Sequence, residues 1–110
     1  MKRYAAHFVW YANEVYRMHY LELDDDGCFH GIFPLEEEIA NTTFHDGILI
    51  PVLSSVKDLD FHAAVSGWRD LTAHVVVGSH VNVYRLVGIP LASAKLGTDY
   101  GCGYGHIERL

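Results

Sequence analysis

The sequence predicts a mainly β fold, a small β-sandwich with one short helix, built from residues 1–110 as a single domain. Runs rich in aromatic and β-branched residues recur along the chain, and turn signals separate them at Ala12-Asn13, Asp24-Asp25-Asp26-Gly27, His45-Asp46-Gly47 and Gly78-Ser79-His80. Half of the 110 residues are hydrophobic, which is enough for one modest core and leaves no room for a multi-domain enzyme. Only one stretch, from Ser55, joins a capping residue to helical spacing of apolar positions.

Residues 3–11 and 15–24 read as the two strands of a hairpin joined at Ala12-Asn13. In the second strand Val15, Arg17, His19, Leu21 and Leu23 alternate with Tyr16, Met18, Tyr20 and Glu22, so neither face is cleanly polar. That pattern predicts partial cover on both sides. The run Asp24-Asp25-Asp26-Gly27 is a turn, because Asp bonds its own backbone and Gly supplies positive φ. It is not an EF-hand loop, whose twelfth position requires a Glu and here holds Leu35. A third strand runs from Cys28 to Phe33, and Pro34 to Glu38 leaves it for the surface.

The apolar run Ile48-Leu49-Ile50 is a strand that meets Pro51. Ser55 then caps a helix over 55–66, with Asp58 near the positive end of its dipole, Val56, Leu59 and Ala63 on one face, and Gly67 as its end. Thr72 to Val77 and Val81 to Val87 read as two strands, and Ile107 to Leu110 as a last short one.

The formal charge is -6, and the eight Lys and Arg form no stripe, which excludes nucleic acid as a partner. The basic start MKRYAAHFVWYANEVYR loses its apolar run to Asn13, Glu14 and Arg17 too soon for a secretion signal or a membrane span, so a cytoplasmic protein is expected. Cys28 and Cys102 read as free thiols rather than a disulfide framework.

The segment HFVWYANEVYRMHYLELDDDGCFHGIFP, followed by FHDGILIPV, resembles the N-terminal β segment of amidohydrolases of the metal-dependent hydrolase superfamily, especially those related to cytosine and guanine deaminases. The stretch Val77-Gly78-Ser79-His80 with Val81 to Leu86, then Gly88-Ile89-Pro90-Leu91 and Ile107-Glu108-Arg109-Leu110, is similar to the closing β segment of that family. The resemblance implies that both ends pair into one composite β-sandwich, into which the enzymes insert a TIM barrel. Here residues 53–71 replace the barrel, Val52 stands where the family has glycine after the proline, and no His-x-His occurs. A barrel needs at least roughly 200 residues, so the resemblance implies a module without the metal centre and its activated water.

Other chemistry must be sought among the remaining polar residues. Eight histidines are many for this length, and His7, His19 and His45 are the candidates for a metal site across the first hairpin. Zinc requires three or four ligands at about 2.0 to 2.2 Å, and no His-x-His or His-x3-His spacing marks such a set. The reading therefore assigns no metal, cofactor or catalytic residue. Cys102, between two glycines and near His106, would need that base within reach to act as a thiol nucleophile; the simpler reading is a flexible loop of Gly97, Gly101, Gly103 and Gly105, with Tyr100 and Tyr104 packed on the sheet edge.

The function expected is that of a noncatalytic interaction module. Tyr4, Phe8, Trp10, Tyr16 and Tyr20, with Tyr11 and Met18, crowd the hairpin beyond what one small core easily absorbs. A homodimer through this surface is expected, with a related hydrolase as another partner. The alternative is a small-molecule or metal-binding domain that uses the histidines and Cys102. A helix carrying Trp68 over the aromatics would remove the need for a dimer.

Overall fold

The computed structural model describes residues 1–37, 39–98 and 105–110. Strand β1 (Lys2–Tyr11) and β2 (Glu14–Leu23) form the expected antiparallel hairpin. Its two connecting residues, Ala12 and Asn13, both adopt left-handed backbone, with φ of 50° and 69°. Two consecutive left-handed residues match the twist of the flanking strands. The acidic turn also forms as read: Asp24 Oδ1 accepts from the amides of Asp26 and Cys28 at 2.9 Å each, and Gly27 has φ 84°.

Strand β3 (Phe29–Pro34) pairs with β2, and residues 35–41 then carry the chain back to β4 (Thr42–Leu53), which runs parallel to β1. Arg3 Nη1 fastens this crossover by donating to the Ala40 carbonyl at 2.9 Å. Helix α1 (Phe61–Ala73), strand β5 (Val81–Val87), helix α2 (Leu91–Leu96) and strand β6 (His106–Arg109) complete the described chain. Among the described residues no helix is long and apolar enough to cross a membrane.

The fold is mainly β, and its strands form one six-stranded mixed sheet in the order β3-β2-β1-β4-β5-β6. The two stacked sheets of a sandwich are replaced by one sheet that curls on itself. Cys28 bridges His80, the Phe29 amide donates to the Ser79 carbonyl and the Gly78 amide to the Phe29 carbonyl at 2.8 Å each. These bonds partly satisfy the edge that β3 would otherwise expose. The inner face packs Val9, Leu21, Leu23, Phe29, Leu49 and Val83, while the outer face packs Phe8, Trp10, Ile48, Ile50 and Leu86 under the helices. Both faces are covered, which is why β1 and β2 lack clean alternation.

A bend crosses three strands at one level. On β1, Ala6 belongs to the inner core and Phe8 to the outer one, although residues two apart on a regular strand share a face. Strand β4 holds one extra residue there, since Ala6 pairs with His45 and Phe8 with Ile48. Gly47 sits in that bulge with φ 99°, so His45-Asp46-Gly47, read from the sequence as a turn, lies inside β4 instead, and Met18 on β2 has φ 53°. The bulge re-aims the strands and deepens the curl.

The helix lies later than the sequence reading placed it. Asp58 takes a left-handed φ of 57°, which no helix interior accepts, and Asp60 is the cap instead of Ser55, its Oδ1 accepting from the Ala63 amide at 2.7 Å. Gly67 lies inside α1, because Ala64, Val65, Trp68 and Thr72 bury a continuous face that outweighs its intrinsic cost. The strand expected at Thr72 to Val77 does not form. Thr72 and Ala73 end the helix, Val75 enters the inner core, and Val76 and Val77 are exposed. A β-branched run has no strand without a partner edge.

Candidate functional site

Helix α2 begins after Pro90 and ends at Gly97, which takes the left-handed C-cap conformation at φ 72°. Six residues are too few to hold themselves helical in water, so packing must hold them. Two buried indoles do so: Trp10 Nε1 donates to the Ala94 carbonyl at 3.0 Å and Trp68 Nε1 to the Gly97 carbonyl at 2.9 Å. Anchored in this way, α2 stands off the bent end of the sheet and leaves a cleft.

The inner part of the cleft, about 180 Å³, is lined by Phe8, Ile48, Leu86, Ile89, Leu91 and Ala94, with the backbones of Gly47 and Gly88 and with His7 at its mouth. An adjoining part shares His7, Phe8 and Leu91 and adds Arg17 and Met18. His7 is exposed and meets Phe44 edge-on at 5.1 Å. An apolar recess with few polar groups at its rim is the usual form of a small-molecule site.

The three candidate metal ligands do not converge. His19 and His45 both lie opposite Ala6, one on β2 and the other on β4, about 10 Å apart as two strand spacings. His7 opens onto the outer cleft, whereas His45 lies beside Tyr4 of the inner core at 6.0 Å. His19 donates from Nδ1 to the Arg17 carbonyl at 2.8 Å. Among the described residues no three His, Cys, Asp or Glu side chains come together as a metal would require. His45 Nε2 is buried without a hydrogen-bond partner. Burial, and then the Arg85 guanidinium nearby, pull its pKa below the ordinary histidine value, with Glu108 opposing.

The aromatic surface is redistributed. Phe8 and Trp10, expected at an interface, are 4% and 0% exposed in the outer core under α1 and α2, so neither is available to a partner. Trp68 covers them. Tyr4 and Tyr16 pack half-buried against the inner core, as does Tyr11, whose hydroxyl donates to the Val75 carbonyl at 2.6 Å. Tyr20 lies against Phe33, ring centroids 5.5 Å apart. Met18, Phe33, Phe44 and Leu91 are the exposed apolar residues around this face. Cys102, Tyr100 and Tyr104 lie outside the described residues, and His106 is exposed on β6.

Sequence reasoning missed the contribution of α2. Its one local signal was the bracket of Pro90 and Gly97 around Leu-Ala-Ser-Ala-Lys-Leu, too short to show periodicity. Compared with known proteins, the chain matches no family model, no curated protein and no solved structure.

Proposed function

We propose that this chain is a noncatalytic β module that works by binding, and that its working surface is the cleft beneath α2. The single observation that carries this is the recess itself: a space of about 180 Å³, apolar inside and open at His7, next to a sheet whose aromatics are otherwise absorbed into two cores. An apolar cavity of roughly 150 Å³ is enough to admit benzene. Kinship with the composite domain of amidohydrolases is part of the proposal. It is supported by the sharing of one sheet between β1 and β4 to β6, with only residues 54–80 between β4 and β5. A cytoplasmic location belongs to the same proposal, supported by the acidic composition and thiol content.

The test is a titration of the protein with benzyl alcohol, followed by tryptophan fluorescence, because Trp10 is bonded to the Ala94 segment that lines the recess. Saturable quenching in the native protein and its loss in Ala94→Leu are expected. Quenching that is unchanged by Ala94→Leu would remove the recess as the site.

Self-association is the second reading, and the exposure of Met18, Phe33, Phe44 and Leu91 favours it. Phe8 and Trp10 no longer support it. The accessible surface of 6151 Å² is close to the roughly 6,100 Å² expected of a folded monomer of this mass. A dimer by light scattering, dispersed in Phe33→Lys/Phe44→Lys, would establish it, and a mass near 12.4 kDa at micromolar concentration would end it.

A further inference from the structure

Among the described residues, no Asp or Glu lines either part of the cleft beneath α2. The ionisable groups there, among the described residues, are His7 and Arg17, both exposed at the mouth. Arg17 lies directly opposite Phe8 in the β1-β2 ladder, so its guanidinium is carried over the rim of the recess whose floor Phe8 helps to form. No carboxylate among the described residues pairs with that guanidinium. Arg3 and Arg85, by contrast, are each paired with a glutamate, at 2.9 Å and 2.6 Å.

Resting on the reading of the cleft as a binding surface, we propose that its ligand is a small carboxylate with a compact apolar body, of the aryl or branched-alkyl class. The body enters between the sheet and α2, against Phe8, Ile48, Leu86 and Ile89. The carboxylate stays at the mouth, where the fork of Arg17 takes two oxygens and His7 donates a ring N–H. Size sets the class: the inner recess of about 180 Å³ suits one ring or a short branched chain as the buried body. Charge sets the head group, because the rim carries the Arg17 guanidinium and no described carboxylate, so an anion meets attraction there on an otherwise acidic protein.

The experiment compares 3-phenylpropionate with the neutral 3-phenylpropan-1-ol on the full chain, by calorimetry and tryptophan fluorescence at low salt. The acid is expected to bind at least tenfold more tightly than the alcohol. Arg17→Ala should abolish that preference while leaving alcohol affinity within twofold, and Ala94→Leu should remove binding of both. Equal affinity for acid and alcohol in the native protein would overturn the carboxylate class while the cleft stands. Binding of neither would overturn both. A preference that persists in His7→Ala/Arg17→Ala, with the variant's melting temperature unchanged, would place the head group elsewhere and refute the assignment.

Discussion

Trp10 and Trp68 stack with ring centroids 5.1 Å apart and planes tilted by 32°, and both indole N–H groups donate into the α2 segment. One contact thus joins β1, α1 and α2, and Arg69 lies over the Trp68 ring at 4.4 Å. We expect Trp68→Phe to cost about 1–3 kcal/mol through the lost indole bond, which leaves the Gly97 carbonyl only the longer one from Arg69 Nη1 at 3.4 Å, and Trp68→Ala about 3–5 kcal/mol. Urea unfolding measures both. Trp10→Lys should unfold the chain rather than disperse an assembly, and a folded, stable Trp10→Lys protein would contradict the buried position.

Gly47 tests the bend. A Cβ there would lie 2.4 Å from the Leu86 carbonyl oxygen on a backbone with φ 99°, so neither the space nor the conformation admits a side chain. Gly47→Ala should lose roughly 2 kcal/mol or more. Gly78 has nearly the same φ, 96°, with nothing near its Cβ position, and Gly78→Ala should cost only about 1 kcal/mol. Equal losses at the two sites would show that conformation, and not the approach of β5, sets the requirement.

Thr72 ties the first hairpin to α1. Its fully buried hydroxyl donates to the Trp68 carbonyl at 2.7 Å and accepts from the Ala12 amide at 2.9 Å. Thr72→Val keeps the shape and removes both bonds, for an expected loss of about 1–3 kcal/mol, while Thr72→Ser should recover most of it. Hydrogen exchange at Ala12 should accelerate in the valine variant alone.

His45 should make the fold acid-sensitive. Its proton is bound less readily in the folded chain than in the unfolded one, because of burial and Arg85. Stability is therefore undiminished above the unfolded value of about 6.5 and falls as pH drops below it. Asp24, held low first by the Cys28 amide, contributes loss only at lower pH, below about 4. Melting midpoints from pH 7 to 5 should decline in the native protein and decline less in His45→Phe. An identical slope in that variant would assign the effect to another group.

The hairpin, the Asp24 turn, the strands at 29–33, 48–52 and 81–87, and the last short strand were legible because each rests on local chemistry. Left-handed turn residues, Asx bonding and β-branched runs act within a few residues. The helix was legible in kind but not in place, since Ser55 and Asp60 are both good caps and only the left-handed Asp58 and the burial of Trp68 decide between them. The site was hardly legible at all. Phe8 and Trp10 read as surface residues because the sequence shows how many aromatics the hairpin carries and not what covers them.

By itself the sequence determined a mainly β chain, the turns at Ala12-Asn13 and Asp24 to Gly27, and an acidic composition. These follow from composition, from spacing and from conformational preferences of single residues. Tertiary structure alone decided that the strands form one curled sheet, that an extra residue at Gly47 sends Ala6 and Phe8 to opposite cores, and that α2 stands over the sheet to leave a cleft. Each of these depends on a contact between residues distant in sequence: Gly47 with Leu86, Trp10 with Ala94, Cys28 with His80. Such contacts are selected by the cooperative burial of both sheet faces, and no local propensity encodes them.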